Sequence, residues 1–204
     1  MEPTFAICPT CGRKTPLKVY ESINSQEHPE LKDAILDGSL FLWECPDCGH
    51  RNLFEFKFLY HDPVGKFLIW LTEGDRAIES LAKRVYEQNE SLHSYTARFV
   101  NDAGSLIEKL KLFDNGLDDM AMEMCKHVTK MEMEKDIQLK FLNLDGADND
   151  IILTYPSGGQ MEMLKVGFNV YEDCRGILQR NPSVAESSTG FVRIDQEWIS
   201  EFFG

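Results

Sequence analysis

Apolar residues recur with a period of two near both ends of this chain and at helical spacing through its middle. Phe5-Ala6-Ile7 and Leu17-Lys18-Val19-Tyr20 read as short strands on either side of a tight turn. Residues 29–38 predict a short helix: Pro29 suits its first turn, Leu31 and Ile35 share a face, and Gly38 stops it. Leu40-Phe41-Leu42-Trp43-Glu44 predicts another strand. Across 53–61, Phe54, Phe56, Phe58 and Tyr60 point one way while Glu55 and Lys57 point the other. Asp62-Pro63-Val64-Gly65 carries type I turn residues position by position, which also accounts for His61-Asp62 without a catalytic pair. Phe67-Leu68-Ile69-Trp70-Leu71 returns apolar on both faces, so it should be an inner strand or be covered by the next module of the chain.

The period then changes. Ala77, Ile78, Leu81, Ala82, Val85, Tyr86 and Leu92 predict a helix over 74–95. Arg98-Phe99-Val100 reads as a brief extended link. Asn101-Asp102 caps a second helix with Leu106, Ile107, Leu110 and Phe113 inward, ended by Asp114-Asn115-Gly116. A third helix opens on Asp118 and Asp119, acids suited to a first turn, and its stripe is Met120, Met124, Cys125, Val128 and Met131. The two make an αα-hairpin, and its methionines fit either core filling or a soft, adaptable surface. From 137 onward alternation resumes in three runs separated by Asp145-Gly146 and Ser157-Gly158-Gly159, an antiparallel meander. Helices over 170–179 and 196–202 finish the chain, with Phe191-Val192-Arg193-Ile194 a candidate strand between them.

Two five-residue strings interrupt these patterns: Cys8-Pro9-Thr10-Cys11-Gly12 and Cys45-Pro46-Asp47-Cys48-Gly49. Four thiols in two C-x-x-C pairs are the ligand set of a tetrahedral structural Zn²⁺. Proline sets φ after each first Cys, and each glycine supplies the left-handed backbone the turn needs. Such a turn aims backbone N–H groups at the sulfurs and steadies thiolate charge. Cys8, Cys11, Cys45 and Cys48 are therefore the predicted ligands of one zinc, with iron the alternative for four Cys. The stretch 12–44 between the pairs exceeds the roughly 15–20 residues of the compact pattern, so the ribbon carries an insertion. Cys125 and Cys174 are left over and read as small buried hydrophobes. The resulting fold class is α+β: an N-terminal zinc-ribbon-like β module with a helical insertion (1–72), a central αα-hairpin segment (73–136) and a C-terminal meander with helices (137–204).

Charge narrows the function. Lys and Arg number 21 against 34 Asp and Glu, a net charge of −13, and no segment is basic. Phosphate neutralisation drives nucleic-acid affinity, so nucleic acid is an unlikely partner. The only local cations beside the knuckles are Arg13, Lys14, His50 and Arg51. Met1-Glu2-Pro3-Thr4-Phe5 lacks the basic start and apolar run of a leader, and the longest apolar run is far too short to span a bilayer. Thiolate ligands fit a reducing, cytoplasmic setting. No nucleophile elbow, P-loop or H-E-x-x-H string is present. Four Cys also close the shell that a catalytic zinc keeps open, and no catalytic residues are expected.

These residues, taken as a set, resemble the CpXC family, named for its two Cys-Pro-x-Cys knuckles. Both knuckles carry the resemblance, with Pro29-Glu30-Leu31-Lys32, Asp37-Gly38-Ser39-Leu40 and Tyr60-His61-Asp62-Pro63. Leu106-Ile107-Glu108-Lys109-Leu110 and Phe113-Asp114-Asn115-Gly116-Leu117-Asp118-Asp119 are similar to longer members, so the resemblance covers roughly residues 1–130. It implies metal-binding cysteines and a bacterial cytosolic setting, and it implies no activity. The expected function is a zinc-binding, non-enzymatic scaffold or protein-interaction module. A ribbon associated with nucleic acid or the transcription machinery is the first alternative, and an enzyme with a composite site the second. The surplus apolar residues over 53–72 place the expected contact surface on that hairpin and the adjoining helices. Their cover comes from the chain itself, from a second copy in a homodimer, or from a protein partner.

Overall fold

The computed structural model describes residues 4–203; Met1, Glu2 and Pro3, read above for a leader, lie outside them. Strand β1 (Thr4–Ile7) pairs antiparallel with β2 (Lys14–Leu17) around the first Cys turn, and β3 (Ser22–Asn24) comes next. Pairing resumes at Lys14, opposite Ile7, because Cys8 N–H already donates to Arg13 C=O at 2.9 Å. The strand expected over 17–20 therefore falls three residues early. Helix α1 (Pro29–Leu36) ends at Gly38, whose φ of 81° turns the chain into a 3-10 turn, Ser39–Phe41. That turn buries Phe41 and takes the first residues of the strand expected over 40–44. The remainder, β4 (Leu42–Glu44), pairs with β5 (Arg51–Leu53) around the second Cys turn.

The alternating run over 53–61 divides into β5 and β6 (Phe58–Asp62), yet its side chains keep their alternation across the gap. Asp62 Oδ1 accepts from the N–H groups of Val64 and Gly65, closing the turn into β7 (Phe67–Leu71). Helix α2 (Arg76–Gln88) and a 3-10 turn, Glu90–Ser94, then lead to β8 (Thr96–Val100). The stretch read as an extended link at 98–100 is thus a full strand, parallel to β7. The sheet order is β3-β6-β7-β8, so β7 is an inner strand, as its two apolar faces require. β3 was hidden from pattern reading because three residues with one apolar side chain show no period.

Helices α3 (Ala103–Asp114) and α4 (Asp119–Met133) are capped by Asp102 and Asp118, whose carboxylates accept from Ser105 N–H and from the Met120 and Ala121 N–H groups. The meander is β9 (Lys140–Asp145), β10 (Asp150–Ser157) and β11 (Gln160–Val166). Helices α5 (Phe168–Gln179), α6 (Pro182–Ser187) and α7 (Gln196–Phe203) complete a mixed α+β chain, with seven α-helices among the described residues. The candidate strand at 191–194 is reduced to a single bridge between Val192 and Arg98.

Burial of both faces organises these elements. On one face of the four-stranded sheet, Phe58, Tyr60, Ile69 and Leu71 pack with Ile35 of α1 and Leu106 and Leu110 of α3. On the other, Leu68, Ala97 and Phe99 meet Ala82 and Tyr86 of α2 and Phe191. A third cluster joins Met122 and Cys125 of α4 to Phe141, Ile151 and Leu153 of the meander and Tyr171 of α5. Met122 and Met124 are core filling, while Met131 is exposed. The Phe54–Tyr60 face, expected to seek a cover, is covered by α1 and α3 of the same chain.

Candidate metal centre

The two Cys turns are built alike. In each, the first Cys N–H bonds back across the turn, to Arg13 C=O at 2.9 Å and to His50 C=O at 2.8 Å. Gly12 and Gly49 donate to the carbonyls of Cys8 and Cys45, both at 2.9 Å, with φ of 72° and 70°. A side chain at either glycine would sit in a conformation that L-residues resist. The hairpins face one another with the first Cys of each beside the second Cys of the other. Cys8 Sγ lies 3.6 Å from Cys48 Sγ, and Cys11 Sγ lies 3.6 Å from Cys45 Sγ. All four sulfurs fall within 4.8 Å of one another.

Four ligands about 2.3 Å from a tetrahedral ion stand about 3.8 Å apart. The observed spacing fits that figure, so this arrangement could hold a metal ion. Electrostatics point the same way. Burial raises the Cys8 thiol, but N–H groups of Cys11 and Thr10, with the neighbouring thiols, outweigh it and bring its pKa down to about 6. For Cys48 an N–H from His50 lowers the pKa, yet burial and the other three sulfurs push it up to about 12. Cys11 is likewise raised, its N–H bond from Arg13 being outweighed by burial and by neighbouring sulfur. Without an ion the cluster accepts a first thiolate readily and resists the next; a cation at the centre removes that resistance. Cys8 and Cys45 are buried and Cys11 and Cys48 lie at the surface.

Outside the centre the knuckle hairpins carry exposed apolar side chains. Leu42 and Leu53 stand directly opposite each other, 47% and 69% exposed, and Phe5 and Ile7 are 41% and 68% exposed. The cations beside them are engaged: Arg13 pairs with Asp47 of the opposite knuckle at 3.5 Å, Arg51 with Glu44 at 2.7 Å, and Lys14 lies over the Phe5 ring. A file of aromatic rings, Tyr20, Phe54, Phe56, Phe41 and Phe58, links this region to the sheet, with centroids 5.2 to 6.4 Å apart.

The sequence model of the family described as CpXC protein matches residues 7–126, from the first knuckle into α4. The chain belongs to the CpXC family. No curated protein and no solved structure matches it. As a CpXC protein it keeps both cysteine pairs of the knuckles, and the structure brings all four thiols to one point. No other group of three or more metal-ligating side chains gathers among the described residues. No helix among them is long and apolar enough to cross a membrane.

One constellation escaped the sequence reading. Where α3, α4, β8 and β9 meet, Arg98, Lys109 and Lys126 are buried with Asp119, Glu108 and Glu123. Asp119 takes Arg98 on both oxygens, at 2.8 and 3.1 Å, and Lys109 at 2.7 Å. Lys126 joins Glu108 at 2.9 Å and Glu123 at 2.6 Å, and Phe141 N–H donates to Glu108. Burial pushes Asp119 up, but the Arg98 and Lys109 cations overcome it and hold its carboxyl far below the usual range. The same balance lowers Glu108, and its mirror image raises Lys126. Partly buried Lys140 of β9 also reaches Glu108, at 3.3 Å, so Arg98 and Lys109 share Asp119 while Lys126 and Lys140 serve Glu108 and Glu123, which makes the cluster a fastening between α4 and the elements around it. Asp119, Glu123 and Lys126 succeed one another at helical spacing, and that period was the available signal.

Proposed function

We propose that this CpXC protein is a zinc-dependent, non-enzymatic scaffold of the bacterial cytosol that binds another protein through its knuckle hairpins. The observation that carries the reading is a cluster of four cysteine sulfurs flanked by exposed Leu42, Leu53, Phe5 and Ile7. Four thiolates leave no position for a reacting water, so the ion's role is to clamp two hairpins into a ribbon-like module. Thiolate ligation suits a reducing compartment, and zinc is preferred to iron because the ion is asked only to hold geometry. Engagement of Arg13 and Arg51 by acidic neighbours supports a protein partner over nucleic acid.

Metal analysis of protein purified without added metal tests the first half: one zinc per chain, with four thiols shielded from a thiol reagent. A folded, metal-free protein with all four freely titratable overturns it, and a red, visible-absorbing preparation replaces zinc with iron. For the second half, native extract is fractionated with the wild type and with a Leu42→Glu, Leu53→Glu variant that keeps its zinc. The wild type is expected in a larger assembly that the variant fails to form. Identical elution of the two, or a wild-type assembly dissolved by nuclease, overturns the protein-binding reading.

A further inference from the structure

Helix α2 covers the outer face of the four-stranded sheet only in part. Ala82 and Tyr86 pack down onto it, while Leu81 and Val85 stay 49% and 43% exposed on the helix flank. Between that flank and the β6–β7 pair lies a groove of about 590 Å³, within the range of small-molecule sites. Its walls are apolar: Leu59, Leu68, Trp70, Leu81, Val85 and Leu92. Strand register sorts its ends. Leu59 stands opposite Trp70 at one end, and His61 stands opposite Leu68, one step nearer the turn that carries Lys66.

The turn end is polar. His61 Nε2 lies 3.2 Å from the Tyr95 hydroxyl, and Lys66 Nζ sits 4.7 Å from the Tyr95 ring centre. Lys66 has no acidic partner among the described residues, in a chain whose acidic residues outnumber its basic ones. It also holds a φ of 60°, unusual for a residue with a side chain, and it lines the groove. An apolar trough closed at one end by an ammonium, an imidazole and a phenol is complementary to one chemistry: an apolar chain ending in a carboxylate. Along β7 the chain rises about 3.3 Å per residue, so Phe67 to Trp70 spans about 10 Å and Lys66 follows one residue beyond, which together match the reach of about ten carbons.

We propose that this groove binds a medium-chain monocarboxylate, its tail along Leu59, Trp70 and Leu81 and its carboxylate beside Lys66, His61 and Tyr95. None of the groove's lining residues belongs to the metal centre or to the knuckle hairpins. Calorimetry on the full-length protein, as purified with its metal, tests it with decanoate, decanol and decyltrimethylammonium below their micelle-forming concentrations. Decanoate is expected to bind one per chain and at least tenfold more tightly than decanol, with no binding of the cation. Lys66→Gln should weaken decanoate about tenfold and leave decanol unchanged. Leu81→Glu, on an exposed helix flank, should abolish both while circular dichroism stays that of the wild type. Decanoate binding no tighter than decanol, insensitive to Lys66→Gln, or surviving Leu81→Glu overturns the proposal. A micromolar dimer that Leu81→Glu dissolves also overturns it, since a second copy would then occupy the groove.

Discussion

Asp119→Asn is the most informative single change in this protein. The carboxylate is 2% exposed and serves two cations at once, Arg98 through a two-point bond and Lys109 at 2.7 Å. Neither cation can leave: Arg98 is also tied to the carbonyls of Ala97 and Ser188, and Lys109 to that of Ile194. The amide keeps the shape and removes the charge, stranding two buried cations around a neutral group. Breaking a buried pair by removing one partner costs about 3–5 kcal/mol, and a shared anion puts this case near 4. Typical domains have only about 5–15 kcal/mol in all. With a urea m-value of about 3 kcal/mol/M, the unfolding midpoint should fall by roughly 1.3 M. Urea titration followed by circular dichroism and tryptophan emission reads this directly. Lys165→Met is the control, since its pairs with Asp150 and Asp145 are half-exposed and removing them should cost under about 1 kcal/mol. Replacing Arg98, Lys109 and Asp119 together by Met, Met and Leu should recover most of the loss, because Lys126 and Lys140 remain to balance Glu108 and Glu123. A drop below about 1 kcal/mol for Asp119→Asn at unchanged m would mean that water reaches these charges, and the fastening role would be refuted.

Acid should undo the same fastening. Asp119 and Glu108 have folded pKa values below their unfolded ones, so their contribution is whole above about pH 5 and is lost as pH falls through the folded values; a stability-versus-pH curve flat from 7 to 3 would contradict it. Removing the metal with a chelator, or making Cys45→Ser, should expose the amides of β1, β2, β4 and β5 to hydrogen exchange while β6, β7 and β8 stay protected, because the sheet buries Tyr60, Ile69 and Leu71 without the knuckles. Loss of protection throughout would show that the metal holds the sheet as well. Glu134→Gly should stabilise by about 1 kcal/mol, since Glu134 ends α4 at a φ of 52° where glycine is unstrained; a thermal midpoint that falls would refute that account.

The elements with strong local codes were legible from residue order alone. The Cys-Pro-x-Cys-Gly strings specify their own turns because proline, glycine and the back-bonded first Cys act within five residues. The caps Asp102 and Asp118, the Asp62 turn, the meander and the inner position of β7 come from side chains acting on their neighbours or from unbroken periods. β8 and β3 were different. Arg98 in the middle of Thr96–Val100 looks like a surface link until Asp119, 21 positions away, supplies its counter-charge. Ile23 alone sets no period, and β6 alone gives its strand a partner.

The helices teach the same lesson about faces. Period 3.6 marked α2 and α4 but could not say which stripe meets water. On α2, Leu81 and Val85 share the apolar pattern of Ala82 and Tyr86 and yet remain exposed beside the groove. On α4, Asp119, Glu123 and Lys126 have the spacing of a solvated stripe and are buried, because α3, β8 and β9 bring opposite charges to meet them. Sequence by itself determined the turns, the caps, the periods and the four thiols of the knuckles. Tertiary structure alone decided which charges are buried and which apolar flank stays open. Burial depends on what a distant part of the chain places opposite a side chain, and no local pattern carries that information.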